Sequence, residues 1–312
     1  MNLNSRIYVA GHRGLVGSAI FRQLKNMGYR NVIHRTHREL PLDDQESVKE
    51  FFEKERPEYV FLAAAKVGGI IGNMKYPAEF IYTNLQIQTN VIDSCHIYNT
   101  KKLLFLGSSC IYPRKTTQPI NEKYLMTGEL EQTNVAYATA KIAGITMAQA
   151  YNKQYGTNFI SVMPCNLYGL NDNYNLETSH VLPALIRKFH DAKVENQVSV
   201  TLFGTGEPKR EFLYSDDLAD ACIFLMNNYN DSEIINVGTG NDIKIRELAE
   251  IIKEIVGFNG DIHWDTTKPD GTPRKVLDIK KISDLGWSPK TNLKDGIKRQ
   301  YDDFLTQVMP IK

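Results

Sequence analysis

The sequence lacks most of the features that would remove it from the ordinary globular class. It has four cysteines in 312 residues, Cys95, Cys110, Cys165 and Cys222. They are widely spaced and form no CxxC pair, so neither a metal site nor a disulfide framework is indicated, and a reducing cytoplasm is the simplest compartment. No apolar run is long enough to span a bilayer. The first residues, Met1 to Tyr8, are polar and lead directly into a strand pattern, so no signal peptide is read there. An excess of one charge is missing too: 37 Lys and Arg against 36 Asp and Glu leave a formal net charge of +1. No global field therefore draws the chain to nucleic acid or to a membrane, and an anionic ligand has to be held by local arginines, lysines and backbone amides. There is no internal repeat and no low-complexity segment.

What is present is an ordinary balance, 42% hydrophobic and 23% charged, sufficient to bury a full core. The first half alternates short apolar runs with amphipathic stretches. Residues 6–10, 31–33, 59–63, 102–106 and 159–163 read as strands. Residues 15–27, 45–55, 78–98 and 135–155 read as helices. This alternation predicts βαβ units and an α/β fold with a doubly wound parallel sheet, its continuous apolar strands covered on both faces. Beyond Asn166 the rhythm breaks. A polar stretch, 169–179, precedes a helix at 182–191; a strand near 234–237, a helix at 245–256 and a loop at 268–275 follow. The expected organisation is a Rossmann domain over 1–168 and a smaller α/β substrate lobe over 169–312, with a segment near 212–238 returning to the first domain.

The loop Gly11-His12-Arg13-Gly14-Leu15-Val16-Gly17 lies between the first strand and the first helix. Gly11 permits a tight turn, Gly14 lets the backbone approach a pyrophosphate, and Gly17 lets the helix pack close to the sheet. The helix N-terminus then offers free amides to phosphate. NAD enzymes place a carboxylate about 20 residues on, at the end of the second strand. Here that region reads His34-Arg35-Thr36-His37-Arg38, with no acid until Glu39. Arg13, Arg35 and Arg38 suit the 2′-phosphate of NADP(H) instead.

Tyr137 and Lys141 stand four residues apart in a helical stretch, on one face. A phenol with an ordinary pKa near 10 donates a proton sluggishly, and a neighbouring ammonium stabilises the phenolate. The strand at 102–106 ends in Gly107-Ser108-Ser109-Cys110, and the carboxyl ends of parallel strands are where such sheets bind ligands. A serine there can hydrogen-bond a substrate carbonyl. Glycine loop, strand-end serine and YxxxK in this order predict a hydride-transfer enzyme. From the residues alone, Cys110 reads as a packing thiol and His180 as a polar helix start, although two residues of extended chain would aim Ser108 and Cys110 to one side.

At these motifs the chain resembles the extended short-chain dehydrogenase/reductases, and within them the GDP-L-fucose synthase family. The resemblance runs nearly end to end, through blocks at 11–20 (GHRGLVGSAI), 63–70 (AAAKVGGI), 103–113 (LLFLGSSCIYP), 137–144 (YATAKIAG), 163–169 (MPCNLYG), 210–213 (REFL) and 268–275 (KPDGTPRK). It implies an NADPH-dependent enzyme that epimerises a GDP-4-keto-6-deoxy-D-mannose at C3 and C5 and then reduces the C4 ketone. It implies Tyr137 as proton donor, Lys141 as its tuner and ribose anchor, Ser108 as carbonyl partner, and Cys110 and His180 as base and acid of epimerisation. Leu15, Val16, Leu106, Pro164, Asn166, Leu167 and His180 are assigned by it to the cofactor cleft, and Lys188, Phe203, Arg210, Asp270 and Lys275 to the GDP-sugar. It also implies a homodimer paired through helices 78–98 and 135–155. The chain departs from the family's pattern at Lys188, where arginine is frequent, at Phe203, where tryptophan occurs, and at His37 and Cys165. The alternatives are a 4-keto reductase of a related GDP-4-keto sugar such as a heptose, with or without epimerisation, a UDP-sugar 4-epimerase, and a cofactor-sensing protein without turnover. The basic 34–38 region argues against the second, and the retained Tyr137 and Lys141 against the third.

Overall fold

The computed structural model describes residues 1–268 and 270–308. The first half carries β1 (Ile7–Ala10), α1 (Leu15–Asn26), β2 (Val32–Ile33), α2 (Gln45–Glu55), β3 (Tyr59–Leu62), α3 (Ile70–Lys75), α4 (Pro77–Ile97), β4 (Lys102–Leu106), α5 (Val135–Tyr155) and β5 (Phe159–Pro164). The second half adds β6 (Asn166–Tyr168), α6 (Val181–Val194), β7 (Ser199–Phe203), β8 (Lys209–Arg210), β9 (Phe212–Tyr214), α7 (Ser215–Asn228) and β10 (Ile235–Val237). It ends with β11 (Ile243–Lys244), α8 (Ile245–Val256), β12 (Asp261–Asp265), β13 (Arg274–Lys275), α9 (Lys280–Asp284) and α10 (Leu293–Val308).

Six strands form one sheet in the order β10-β5-β4-β3-β1-β2, every neighbouring pair parallel. The apolar runs IYVA, KLLFL and FISVMP are buried at every position, as strands must be when helices cover both faces. The strand order turns back between β1 and β3, so loops at their carboxyl ends open a crevice there, the usual ligand site of such sheets. A second apolar cluster gathers Tyr168, Phe189, Leu248, Ile252 and Phe304, where α6 and α8 pack together beside the parallel β7-β12 pair.

Apart from the short α3, which was not expected, the strands and helices of the first half lie within one or two residues of expectation. Those of the second half were largely missed. Strands β6, β8, β9, β11 and β13 are two or three residues long and carry no readable period. Helix α7 is buried around most of its circumference and shows no amphipathic stripe. Its C-terminus is closed by Lys102, a buried residue whose Nζ donates to the carbonyls of Leu225 (3.1 Å), Met226 (2.9 Å) and Tyr229 and to Asn230 Oδ1 (3.0 Å). Burial lowers the pKa of that ammonium to about 8.

The two clusters are joined through buried polar groups. Glu211 has no solvent exposure. Its Oε1 accepts from the amides of Thr239 (2.5 Å) and Gly240 (2.7 Å), and its Oε2 from the amide of Leu277 (2.9 Å). Burial pushes its carboxyl pKa up, and the three amides oppose that shift. Gly238 is required by the close approach, since a Cβ there would run into Glu211 Oε1. Asn236 is equally buried: it accepts from Tyr112 Oη (2.6 Å) and donates to the carbonyls of Ile120 (2.9 Å) and Asp278 (3.2 Å).

An unsatisfied buried donor costs about 1–3 kcal/mol. Glu211→Ala strands three amides and is expected to destabilise the fold by at least ~3 kcal/mol, whereas Glu211→Gln, which keeps one acceptor oxygen, loses less. Denaturant unfolding of both variants checks this; a loss below about 1 kcal/mol in Glu211→Ala would mean that the amides find other partners.

Candidate active site

The glycine loop has the geometry its spacing predicts. Gly11 sits at φ 84°, in the left-handed region that favours glycine, and a Cβ on it would lie 2.8 Å from the amide nitrogen of Ala64 at the end of β3. A Cβ on Gly17 would strike the Gly11 carbonyl oxygen, so α1 packs directly on the turn. At Gly14, the N-cap of α1, an added Cβ would meet only the Gly11 carbonyl oxygen at 3.6 Å. The space above it is open for a phosphate. Leu15 and Val16 follow half-buried, carrying first-turn amides towards that space. His12 lies against His34 (ring centroids 4.5 Å apart), and its buried Nδ1 has no partner among the described residues. Burial first, and then His34 beside it, lower its pKa.

The basic cluster is only partly free. Arg35 pairs with Glu55 at 2.6 Å and lies over the Phe51 ring at 5.6 Å, so it must leave Glu55 to serve a ligand. Arg13 and Arg38 are exposed and, among the described residues, neither has an ion-pair partner. Glu39 is held by the amide (2.7 Å) and hydroxyl (2.8 Å) of Thr36, which occupies the first acid after β2 inside its own turn. The cradle, the exposed guanidiniums and the engaged acid fit NADP(H).

At the end of β4 the chain does not stay extended as expected. Ser108 is extended (φ −162°, ψ 149°) and caps a 3-10 turn over Ser109–Ile111, its Oγ accepting from the Cys110 amide at 3.2 Å. A serine hydroxyl competes with strand geometry in this way. The turn nevertheless packs on α5, the helix that carries Tyr137 and Lys141. One turn along α5, Lys141 is buried, donates to the Leu106 carbonyl at 2.7 Å and sits 5.8 Å from the Tyr137 ring centroid. The expectation that the lysine pulls the tyrosine towards neutrality is not met in this state. Burial pushes the Tyr137 phenol well up and lowers the Lys141 ammonium to about 7, because desolvation disfavours the charged form of each. Tyr137 is thus kept protonated, as a donor must be.

Two donors meet Cys110 that the sequence reading did not place there. Asn134 Nδ2 lies 3.3 Å from Sγ, and Lys275 Nζ, expected among the GDP-sugar contacts, lies 3.8 Å from it. Asn134 stands three residues before Tyr137, a spacing that could have signalled it. His180 is the N-cap of α6. It is solvent-accessible, yet desolvation lowers its pKa; both hold for a side chain lining a deep cleft. Its loop is seated on Gly68 and Gly69 after β3: the Gly69 amide donates to the Thr178 carbonyl at 2.9 Å, and a Cβ on Gly69 would collide with the Ser179 carbonyl. Among the described residues no contact joins His180 to Cys110.

Pro164 ends β5, Leu167 pairs with Leu213, and Asn166 Nδ2 donates to the Glu211 carbonyl at 2.8 Å. Phe203 is exposed and lies under two ammonium groups, Lys188 at 4.8 Å and Lys268 at 5.9 Å. Burial lowers the pKa of Lys188 and of Arg210. Asp270 closes the neighbouring turn, accepting from the Thr205 amide (2.9 Å) and hydroxyl (2.6 Å). Pro269, in the 268–275 block, lies outside the described residues. Lys188 and Lys268 flank the Phe203 ring, an arrangement able to serve as an anion site with an aromatic floor.

Glycine cradle, switch-point crevice and the Ser108–Tyr137–Lys141 cluster, with its lysine buried, define a dinucleotide-dependent oxidoreductase. Residues 7–238 match the model of the NAD dependent epimerase/dehydratase family. The chain is 58% identical over 309 residues to a putative GDP-L-fucose synthase 2 of Arabidopsis thaliana, covering 99% of this chain and 94% of that one. Among solved structures it is similar to a GDP-6-OMe-4-keto-L-xylo-heptose reductase from C. jejuni, at 42% identity and TM-score 0.94 over 98% of this chain and 99% of that one. It is also similar to a GDP-L-fucose synthetase from Naegleria fowleri bound to NADP, at 30% identity and TM-score 0.93 over 99% and 97% of the two chains. The chain belongs to the NAD dependent epimerase/dehydratase family, among its GDP-L-fucose synthases. No helix among the described residues is long and apolar enough to cross a membrane.

The folded pKa of Lys141, about 7, lies below the ~10.4 of an unfolded lysine. Its burial therefore costs stability most below pH 7, and the cost fades as pH rises towards 10. Lys141→Met is expected to stabilise the cofactor-free protein by roughly 1–4 kcal/mol at pH 6 and by less at pH 9. Unfolding at the two pH values tests this, and no gain at pH 6 refutes it. Arg13→Ala is expected to weaken NADPH binding by roughly tenfold or more while sparing NADH; calorimetric titration showing NADH preferred by the unmodified protein overturns the cofactor assignment.

Proposed function

We propose that the protein is an NADPH-dependent 3,5-epimerase/4-reductase converting GDP-4-keto-6-deoxy-D-mannose to GDP-L-fucose, acting in the cytoplasm as a homodimer. The observation that carries this reading is the 3-10 turn that holds Ser108 and Cys110 two residues apart against α5, the helix of Tyr137 and Lys141. A base and a carbonyl-directed acid within one turn suit a substrate with acidic C–H bonds beside a ketone. Cys110 removes a proton next to the C4 ketone, Tyr137 and Ser108 hydrogen-bond the C4 oxygen, and His180 returns a proton to the carbon. Tyr137 then donates its proton to the C4 oxygen, with Lys141 stabilising the phenolate it leaves. Gly11, Gly14, Gly17, Arg13 and Arg38 would hold NADPH, which would supply the hydride. Arg210 and Lys188 hold the diphosphate, and Phe203 with Asp270 line the nucleotide-sugar pocket. The exposed Tyr82, Ile97 and Tyr155 on α4 and α5, two helices packed on each other, support a dimer through that face.

A second reading, reduction of a related GDP-4-keto sugar such as a heptose without epimerisation, is supported by the pocket at Phe203, whose ring lacks a hydrogen-bond donor and lies between two lysines. One experiment separates the two. In deuterated water without NADPH, deuterium is expected at C3 and C5 of the keto sugar. Tyr137→Phe should keep most of that exchange while losing about 10²–10⁴-fold in reduction. Reduction without any wash-in by the unmodified protein leaves the second reading; near-normal NADPH oxidation by Tyr137→Phe refutes the assignment of the acid.

A further inference from the structure

The Cys110 sulfur is met by more donors than packing requires. Asn134 Nδ2, at 3.3 Å, comes from the segment leading into α5. Lys275 Nζ, at 3.8 Å, comes from β13, more than 160 residues away in the chain. The backbone that delivers Lys275 is fixed on both sides. β13 pairs with β8, Lys275 opposite Arg210; the Val276 amide donates to Gln118 Oε1 at 3.0 Å; the Leu277 amide is bound by Glu211. Among the described residues Lys275 has no carboxylate partner. Asn134 gives one Nδ2 hydrogen to the sulfur, and its Oδ1 is buried with no partner among the described residues.

The other groups facing the sulfur do not supply a competing charge. Tyr137, on α5, is held protonated by burial. Lys141, from the same helix, is tied to the Leu106 carbonyl. Glu211 has its oxygens taken by three amides. Lys275 is thus the cation that addresses Cys110.

Resting on the epimerase reading above, we propose that Asn134 and Lys275 are positioning residues that aim the Cys110 sulfur at the substrate and donate to it as it acts as the base, and that the free Oδ1 of Asn134 accepts a hydroxyl of the sugar. In the step they support, an S–H bond forms as the C–H bond beside the ketone breaks. The C–H electron pair moves into a carbon–carbon double bond, leaving negative charge on the C4 oxygen, where Tyr137 and Ser108 donate. The thiol then gives its proton to solvent and the thiolate returns beside the ammonium.

The test uses two readouts. Cys95, Cys165 and Cys222 are buried while Cys110 is half-exposed, so iodoacetamide reports on Cys110 in the intact protein without any sugar. Lys275→Met should slow alkylation at pH 7 by roughly tenfold, with the deficit closing as pH is raised, because the thiolate is the nucleophile. Lys275→Arg should restore the rate, and Asn134→Ala should slow it less. Deuterium wash-in should follow the same order and the same pH dependence. Melting temperature confirms that each variant is folded; should Lys275→Met not fold, Lys275→Gln serves in its place. Alkylation that keeps its pH 7 rate in folded Lys275→Met or Lys275→Gln overturns the proposal. An alkylation deficit in a protein that washes in no deuterium upholds the donor pair and removes the epimerase reading instead.

Discussion

A carboxylate with no access to water organises the second half of this molecule. A charge in that position is tolerated only when its lone pairs are filled, and Glu211 fills them with three amides from two separate places: the turn after β10 and the chain after β13. Its own carbonyl takes the Asn166 side chain. The six-stranded sheet, the cofactor-side strand β6 and the chain leading out of β13 are thereby set against one another around a single side chain. The residues on either side inherit that placement. Arg210 precedes Glu211 and lies opposite Lys275 in the β8-β13 pair; Lys275 lies two residues before the bound Leu277 amide and reaches Cys110. The small β8-β13 sheet is two residues deep, too short to hold position without this anchor.

The Ser108–Tyr137–Lys141 cluster is arranged against stability. Tyr137 and Lys141 are both desolvated, and each is driven towards its neutral form. A core of apolar residues would fold more comfortably there. Perturbed groups of this kind gather at functional sites because proton transfer needs them. The surrounding structure tolerates the cost: the Leu106 carbonyl receives the lysine, and the Phe105 ring lies 4.8 Å from the same ammonium, a favourable contact for a cation.

The sequence was most legible where structure is local or fully buried. The runs at β1, β3, β4 and β5 announce themselves by apolar continuity, and the roles of Gly11 and Gly17 follow from spacing because the steric demands lie within the loop itself. Tyr137 and Lys141 follow from helical period. Legibility ends where partners are distant. Nothing near Glu211 in the chain points to Leu277, and nothing near Lys275 points to Cys110. Lys102 reads as the start of a strand, since the helix end it closes lies over 120 residues away. Arg35 reads as a ligand for phosphate because its partner Glu55 belongs to another element. The turn at Ser109–Ile111 was missed for a different reason: the choice between extended chain and 3-10 turn is made by one hydroxyl accepting one amide.

That same turn ties two chemistries to one piece of backbone. Ser108 and Cys110 are two residues apart and linked by a hydrogen bond, so neither can shift without dragging the other. A lineage that abandons proton exchange at carbon while keeping carbonyl reduction cannot freely remodel the cysteine's surroundings. The turn would persist after its second task had lapsed, and a cysteine in it would survive as a relic. On the proposed function, divergence within such a family is therefore steered towards positions such as Lys188 and Phe203, where side chains change without moving the turn.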